Sequence, residues 1–287
     1  MNSSGNSASN MTSPFCEPKE QGVLRVLQIS DCHLYAAANR RLAGVVTEDS
    51  FEDILTLARS SFRDIDLILA TGDLVHDASQ EGYTRMCKHL SVMGAPVYCL
   101  PGNHDIPMVM AEAIRGVVEQ TRVTTPQVKR HHNWVVIMLD STIPGREGGH
   151  LDELQLQILE DGLTQHPDCH ALICLHHHPV PIGSAWMDKM ALNNPDPFFR
   201  ILDRHPRVRG IIWGHIHQAF DAERHGVKLL GCPSTCIQFT PKQDQFNLDQ
   251  LPPGLRWLEL WPDGKIETGI QRLNITPGEL DLSVAGY

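Results

Sequence analysis

Long apolar stretches are missing from this chain of 287 residues. No run approaches the ~20 consecutive apolar residues that a membrane-spanning helix needs, so we expect no membrane contact. The first 22 residues are polar and have neither the basic start nor the apolar core of a signal peptide. They predict a disordered leader over residues 1–22 and a protein that acts in the cytoplasm.

Basic charge is also scarce. The chain has 24 Lys and Arg against 34 Asp and Glu, a formal net charge of −10. No basic stripe of the kind that holds a nucleic-acid backbone is present, so we expect no nucleic-acid partner. A small anionic substrate is still compatible with the sequence, because bound metal ions can dominate a local field.

Paired cysteines are absent as well. None of the eight cysteines forms a C-x-x-C pair, which predicts reduced thiols, including Cys232 and Cys236 around a short turn. Histidine is the unusual abundance, with 16 residues, and several of them directly follow apolar segments.

From residue 23 onward, short apolar runs alternate with segments of helical spacing. Strands are predicted at residues 23–29, 66–71, 96–100, 133–139, 171–175, 208–213, 227–230, 256–260 and 266–272. Helices are predicted at residues 50–62, 79–93, 107–120 and 151–163. This alternation predicts an α/β domain over residues 23–275 with a loosely held tail over residues 276–287. The turn residues at 261–264 predict that the last two strands form an antiparallel hairpin.

Polar side chains follow five of the predicted strands. In chain order they are Asp31 and His33, then Asp73, then Asn103, His104 and Asp105, then His176, His177 and His178, then His215 and His217. Open α/β sheets build their sites at the carboxyl ends of strands, so we expect these side chains to meet. Mixed oxygen and nitrogen ligands suit Mn, Fe or Zn, and this many ligands suits two ions that share a carboxylate.

In order and spacing, this series resembles the calcineurin-like metallophosphoesterases. The matching elements are D-x-H at residues 31–33, G-D at 72–73, G-N-H-D at 102–105, His176, and G-H-x-H at 214–217. The resemblance implies the family fold, a four-layer α/β/β/α sandwich with two mixed sheets. It also implies two metal ions, Fe or Mn in the first place, with Zn or Co as alternatives.

The resemblance further implies a role for each motif residue. The implied ligands are Asp31, His33 and His217 for the first ion and Asn103, His176 and His215 for the second, with Asp73 bridging both. His177 is the rival of His176, since three consecutive histidines cannot all face one point. His104 would be the catalytic acid, oriented by Asp77 or Asp105. The substrate would contact His33, Asp73, Asn103, His104 and His217.

The stretches LQISDCHL, LATGDLVHD and LHHHPVP are similar to those of bacterial cyclic-nucleotide phosphodiesterases within that family. This similarity implies hydrolysis of 3′,5′-cyclic AMP to 5′-AMP by a hydroxide between two metal ions, which would lower cellular cyclic AMP. A monomer and a homodimer are both compatible with the sequence. The alternatives are a broader phosphodiesterase or phosphomonoesterase and an inactive scaffold. Contacts of His150 or Trp186 with substrate are left open, and the other histidines, His76 among them, are expected to have no direct role.

Overall fold

The computed structural model describes residues 19–276, 278–284 and 286. Its strands are β1 (Leu24–Ile29), β2 (Arg41–Leu42), β3 (Val45–Val46), β4 (Leu67–Thr71), β5 (Val97–Leu100), β6 (Val123–Thr124), β7 (Val128–His131), β8 (Trp134–Met138), β9 (His170–Cys174), β10 (Val208–Trp213), β11 (Phe220–Arg224), β12 (Val227–Gly231), β13 (Gln238–Phe239), β14 (Leu248–Asp249), β15 (Gly254–Leu260) and β16 (Ile266–Arg272). Its α-helices are α1 (Thr47–Ser61), α2 (Gln80–Ser91), α3 (Pro107–Thr121), α4 (Glu153–Thr164) and α5 (Pro195–Leu202).

Two six-stranded sheets carry the architecture. The first sheet has the order β16-β15-β1-β4-β5-β6, and the second has the order β11-β12-β10-β9-β8-β7. In the first sheet β1, β4, β5 and β6 run parallel, whereas β15 is antiparallel to both of its neighbours. In the second sheet β12, β10, β9 and β8 run parallel, with an antiparallel strand at each edge. Both sheets are therefore mixed.

Period-two alternation along the strands produces the layers. In β1, Leu27 and Ile29 pack with the cluster that includes helices α1, α2 and α3, whereas Leu24 and Val26 face the other sheet. A second helix-covered cluster joins the second sheet to α4 and α5. The cluster between the sheets takes residues from both of them, such as Leu69 and Leu172. The predicted four-layer α/β/β/α sandwich is thus confirmed.

The structure adds elements that the sequence pattern does not predict. Helix α5 has only eight residues, and the outer strands β7 and β11 are rich in charged side chains. The predicted hairpin is present as β15 and β16, and the turn is closed by the Gly264 N–H, which donates to the Trp261 carbonyl at 3.0 Å. The seven cysteines within the described residues are free and buried.

Both ends of the chain reach beyond the described residues. Of the predicted leader, residues 1–18 lie outside them, and Lys19 forms an ion pair with Asp66 at 2.5 Å. Of the predicted tail, residues 277, 285 and 287 lie outside them, while the Asp281 N–H donates to the Ala43 carbonyl at 2.9 Å. The boundaries at residues 22 and 276 stay predictions. None of the helices in the described part of the chain has the length and apolar character of a membrane span.

Candidate metal centre

The loops that continue β1 and β4 bring the first two motifs together. Beyond the strand ends the chains stay hydrogen-bonded in parallel. The Asp31 N–H donates to the Gly72 carbonyl at 3.0 Å, and the His33 N–H donates to the Asp73 carbonyl at 2.9 Å. The D-x-H and G-D motifs therefore lie side by side, with both carboxylates buried.

Backbone strain is concentrated at the predicted ligands. Five of the seven have a positive φ: Asp31 (55°), His33 (46°), Asp73 (50°), His215 (67°) and His217 (47°). Side chains other than glycine rarely adopt this left-handed region, although Asp and His tolerate it better than most. Such strain persists where the surrounding structure holds an arrangement in place, and it clusters at functional sites.

Two motif glycines make room for the side chains of the cluster. A Cβ atom at Gly72, which has a φ of 91°, would collide with the ring of His176. A Cβ atom at Gly214 would collide with the side chains of Ser30 and Asp31. The glycines of the G-D and G-H-x-H motifs are therefore required by close approach as well as by the turn.

A first group of possible ligands consists of Asp31, His33 and His217. The His217 Nδ1–H donates to the Ile237 carbonyl at 2.8 Å, so Nε2 carries no proton in the neutral ring. That Nε2 lies 3.3 Å from Nε2 of His33 and 3.4 Å from Oδ1 of Asp31. Atoms with lone pairs that converge in this way fit a cation between them.

A second group lies on the other side of Asp73. The His176 Nδ1–H donates to the Thr71 carbonyl at 2.8 Å, and its Nε2 lies 3.2 Å from Oδ1 of Asn103 and 3.4 Å from Oδ2 of Asp73. His215 joins this group, with its ring centroid 5.1 Å from that of His176. The same Asp73 Oδ2 is 3.7 Å from Nε2 of His33, so this carboxylate lies between the two groups.

Two buried atoms of the cluster test whether metal ions fit. Oδ2 of Asp73 and Nε2 of His215 have no hydrogen-bond partner within the described chain. Leaving buried polar atoms unpaired costs free energy, and metal ions would satisfy both atoms. Carboxylate, amide and imidazole donors without thiolate also match the ligand preferences of Fe, Mn and Zn.

The pKa shifts of the clustered side chains also fit a site for cations. Burial alone would raise the pKa of Asp73, but the imidazoles of His176, His104 and His33 outweigh it and hold that pKa well below its usual range. Burial opposes a charge on His176, yet the Asp73 carboxylate outweighs this and raises the pKa of His176 to about 9. Burial lowers the pKa values of His33 and His215. The cluster thus favours an ionised Asp73 carboxylate with a positive charge beside it.

His177, the rival of His176, has both of its ring nitrogens engaged elsewhere. Its Nδ1 lies 2.8 Å from the Ser141 hydroxyl, and its Nε2 lies 3.1 Å from the Glu147 carbonyl. The ring is close enough to His176 and His215 to belong to a possible ligand group. Because the two hydrogen bonds satisfy the neutral ring, His176 is the better ligand candidate.

His104 lies at the edge of the first group, half-buried, with its ring centroid 5.0 Å from that of His33. Its backbone N–H donates to Oδ1 of Asp73 at 2.9 Å. The two carboxylates proposed to orient it are engaged with other groups. Asp105 accepts bonds from the Leu74, Val75 and Gly102 N–H groups and from the Tyr83 hydroxyl, and Asp77 accepts from Ala36 and Ser79.

His76 is the residue that sequence reasoning missed. Its ring stacks on that of His104 with centroids 4.4 Å apart, and its Nδ1 lies 3.1 Å from Nδ1 of His33. Burial lowers the pKa of His76 to about 4. The available signal was its position in the loop after β4: continuing the parallel register of β1 and β4 places residue 76 beside the D-x-H loop.

Neither of the two residues left open for substrate contact belongs to the groups of possible ligands within the described residues. His150 is exposed, and its Nδ1 lies 2.7 Å from Oδ1 of Asn193. Trp186 packs edge-on against Phe239, whose ring in turn stacks on His217 at 4.1 Å between centroids. Trp186 thus supports the ring that covers a predicted ligand.

Comparison with known proteins gives the family. The profile of the calcineurin-like phosphoesterases matches residues 24–219, and the chain belongs to this family. It is 41% identical over 270 residues to the 3′,5′-cyclic adenosine monophosphate phosphodiesterase CpdA of Pseudomonas aeruginosa, covering 94% of this chain and 97% of that protein. It is 39% identical over 266 residues to CpdA of Escherichia coli K12, covering 92% of this chain and 95% of that protein.

Two solved structures share the fold. A dimetal phosphatase from Danio rerio superposes with a TM-score of 0.59 at 15% identity, covering 89% of this chain and 99% of that chain. A purple acid phosphatase from yellow lupin superposes with the same TM-score at 13% identity, covering 89% of this chain and 52% of that chain. At such low identity these likenesses concern the fold alone.

Proposed function

We propose that this chain hydrolyses 3′,5′-cyclic AMP to 5′-AMP at a centre of two metal ions. The observation that carries the proposal is the position of Asp73, whose buried Oδ2 lies between two groups of converging ligand atoms. The substrate is proposed from the extensive identity with proteins named as cyclic AMP phosphodiesterases.

The proposed ligand sets follow the two groups. Asp31, His33 and His217 would hold the first ion, and Asn103, His176 and His215 would hold the second, with Asp73 shared. Bound there, the cations would supply Lewis acidity, lower the pKa of a water molecule and neutralise phosphoryl charge. Fe and Mn are the first candidates for this oxygen and nitrogen donor set, with Zn and Co as alternatives.

In this reaction water adds to phosphorus, the bond from phosphorus to the 3′-oxygen breaks, and that oxygen takes a proton. His104 is the proposed donor, because it lies at the edge of the cluster with a half-buried ring and a backbone fixed by Asp73. His33, Asp73, Asn103, His104 and His217 would line the position of the phosphodiester. General acid catalysis of this kind contributes typically 10²–10⁴-fold to a rate.

Product analysis with supplied Mn or Fe tests the reaction. We expect the purified protein to convert 3′,5′-cyclic AMP to 5′-AMP and Asp73→Ala to lose both turnover and bound metal. Asp53→Ala, on the exposed side of α1, is the matched control and should keep both. Cleavage of bis(p-nitrophenyl) phosphate without conversion of cyclic AMP would replace the proposal with a different phosphodiester substrate. Absence of bound metal would favour the inactive scaffold.

His104→Ala separates the acid from the ligands. We expect turnover to fall by about 10²–10⁴-fold while metal content stays at the value of the unchanged protein. Metal content is measured by elemental analysis of the same samples. Loss of metal together with turnover would instead make His104 part of the metal-holding structure.

The cytoplasmic location, the lack of a nucleic-acid partner and the choice between monomer and homodimer stay predictions. Sedimentation of the purified protein decides the last of these, and fractionation of cells decides the first.

A further inference from the structure

The ring of His76 touches both a predicted ligand and the predicted acid. On one side it stacks on His104, with centroids 4.4 Å apart and planes inclined by 23°. The Tyr35 ring is another aromatic neighbour, at 4.9 Å between centroids. Its Nδ1 lies 3.1 Å from Nδ1 of His33.

The backbone fixes this position. The His76 N–H donates to the Leu34 carbonyl at 2.7 Å, and the Leu34 N–H donates to the Leu74 carbonyl at 3.1 Å. The loop after β4 is therefore joined residue by residue to the loop that carries His33. A side chain at position 76 has to lie against the D-x-H motif.

His33 differs from His176 and His217 in its outer contact. The Nδ1–H groups of His176 and His217 donate to backbone carbonyls, which leaves each Nε2 for a metal ion. Nδ1 of His33 faces an imidazole instead of a carbonyl. When Nε2 of His33 faces a cation, its proton sits on Nδ1, and Nδ1 of His76 is the acceptor. Such outer acceptors fix the tautomer and the orientation of a ligand and typically change metal affinity or activity by 10–100-fold.

We propose that His76 is a positioning residue with two separable actions: it accepts the Nδ1–H of His33 to orient that ligand, and its ring face holds His104 in place. This inference rests on the proposed function only in its second action. The first action concerns metal affinity and can be measured without substrate.

Two substitutions separate the actions. His76→Phe keeps a flat ring against His104 but offers no acceptor, whereas His76→Gln offers an amide oxygen to His33 but no ring. His166→Phe is the matched control, because His166 precedes β9 and lies at the opposite end of that strand from His176. Each protein is stripped of metal, titrated with Co²⁺ against a coloured chelator, and followed by its visible Co²⁺ spectrum. Turnover of cyclic AMP and of bis(p-nitrophenyl) phosphate is measured on the loaded proteins.

We expect His76→Phe to bind one Co²⁺ ion about 10-fold or more weakly, with a changed spectrum, and His76→Gln to restore both. We expect kcat to fall in His76→Gln at unchanged Co²⁺ affinity. Equal Co²⁺ affinity and spectra in His76→Phe and the unchanged protein would overturn the first action, and full kcat in His76→Gln would overturn the second. If cyclic AMP is not a substrate, the titration still decides the first action and bis(p-nitrophenyl) phosphate the second, so the two failures are distinguishable. A thermal melt of each variant shows whether it is folded.

Discussion

At the scale of single residues, the cluster carries a conformational cost. Left-handed backbone at a residue other than glycine costs of order 1–3 kcal/mol, and five predicted ligands adopt it. All five lie two or four residues beyond the end of a strand, and their ligand atoms belong to the groups that converge there. Stability alone would favour glycine at these positions, and the side chains present there are metal-ligand types.

The choice between His176 and His177 gives a prediction at this scale. His176→Ala should lower metal content and turnover together, because its Nε2 points at Asp73 and Asn103. His177→Ala should keep metal but lower stability by about 1–3 kcal/mol, because the buried Ser141 hydroxyl loses its hydrogen bond to Nδ1 and keeps only that from the residue 177 N–H, and the Glu147 carbonyl loses its bond to Nε2. Elemental analysis and urea unfolding of the two variants check these results. Metal loss in His177→Ala with metal retained in His176→Ala would reverse the assignment.

At the scale of secondary-structure elements, predictability follows burial. Strands such as β4, β9 and β10 are nearly continuous apolar runs, and the sequence predicts them. The edge strands β7 and β11 carry sequences of mostly polar residues, VKRH and FDAER, because one of their sides has no strand neighbour, and the pattern misses them. Helix α5 is missed because Pro195 and Pro197 begin an eight-residue segment.

Sheet order and the hydrogen bonds that surround the site could not be predicted from the sequence. Strand β15 pairs with β1 across more than 200 residues of sequence, and no local pattern encodes such a partner. The ligand motifs could be predicted from the sequence because each one follows the end of a strand. The carbonyls of Thr71 and Ile237 that orient the rings of His176 and His217 could not be predicted. Every residue has a carbonyl, and only the fold determines which one lies near a given ring.

Arg256 joins elements of the two sheets and gives a prediction at this scale. Its guanidinium, on β15 of the first sheet, is fully buried and bonds both carboxylate oxygens of Asp221 at 3.0 Å and the Gly231 carbonyl at 3.0 Å, in the second sheet. Arg256→Met should destabilise the fold by about 1–3 kcal/mol, because the Gly231 carbonyl loses its bond from the buried guanidinium, whereas Asp221 is more than half exposed to solvent. Urea unfolding measures the loss.

Arg204→Met is the control for Arg256→Met. Arg204 pairs with Glu160 at the surface, where both side chains are substantially exposed. Surface ion pairs contribute about 0–1 kcal/mol, so this variant should unfold close to the unchanged protein. Equal stability of the two variants would show that the Arg256 contacts do not hold the sheets together.

At the scale of the whole molecule, the site depends on how the two sheets meet. Asp31, His33, Asp73 and Asn103 follow strands of the first sheet, whereas His176, His215 and His217 follow strands of the second. The interface between the sheets contains Gln28, whose amide donates to the Thr71 hydroxyl and to the Trp213 carbonyl, both at 3.0 Å. Packing between the sheets therefore positions the predicted ligands, and we expect global stability and metal binding to be coupled.

Stability is also coupled to the protonation of buried histidines. Burial lowers the pKa of several imidazoles, at the site and away from it: His33, His76, His131, His170, His177, His178 and His215. A lowered pKa means that the unfolded chain takes up a proton that the folded protein does not. Stability is then lost as pH falls below about 6.5, the ordinary value for histidine. The pKa of Asp105, raised to about 6 by burial, acts in the opposite direction and offsets only part of this.

Urea unfolding at pH 7.5 and pH 5.5 should therefore show a clear loss of stability at the lower pH. Each fully depressed imidazole contributes up to about 1.4 kcal/mol per pH unit below 6.5. His176, with its pKa raised to about 9, gains stability as pH falls from 7.5 to 6.5, by about 1.4 kcal/mol at most, and this offsets the contribution of about one of the depressed imidazoles. His131→Gln lies outside the metal cluster and keeps a partner for the Tyr98 hydroxyl, so the pH difference should shrink. His225→Gln, at an exposed ring, should leave the difference unchanged. Equal or greater stability at pH 5.5 would mean that the buried rings accept protons without loss of the fold.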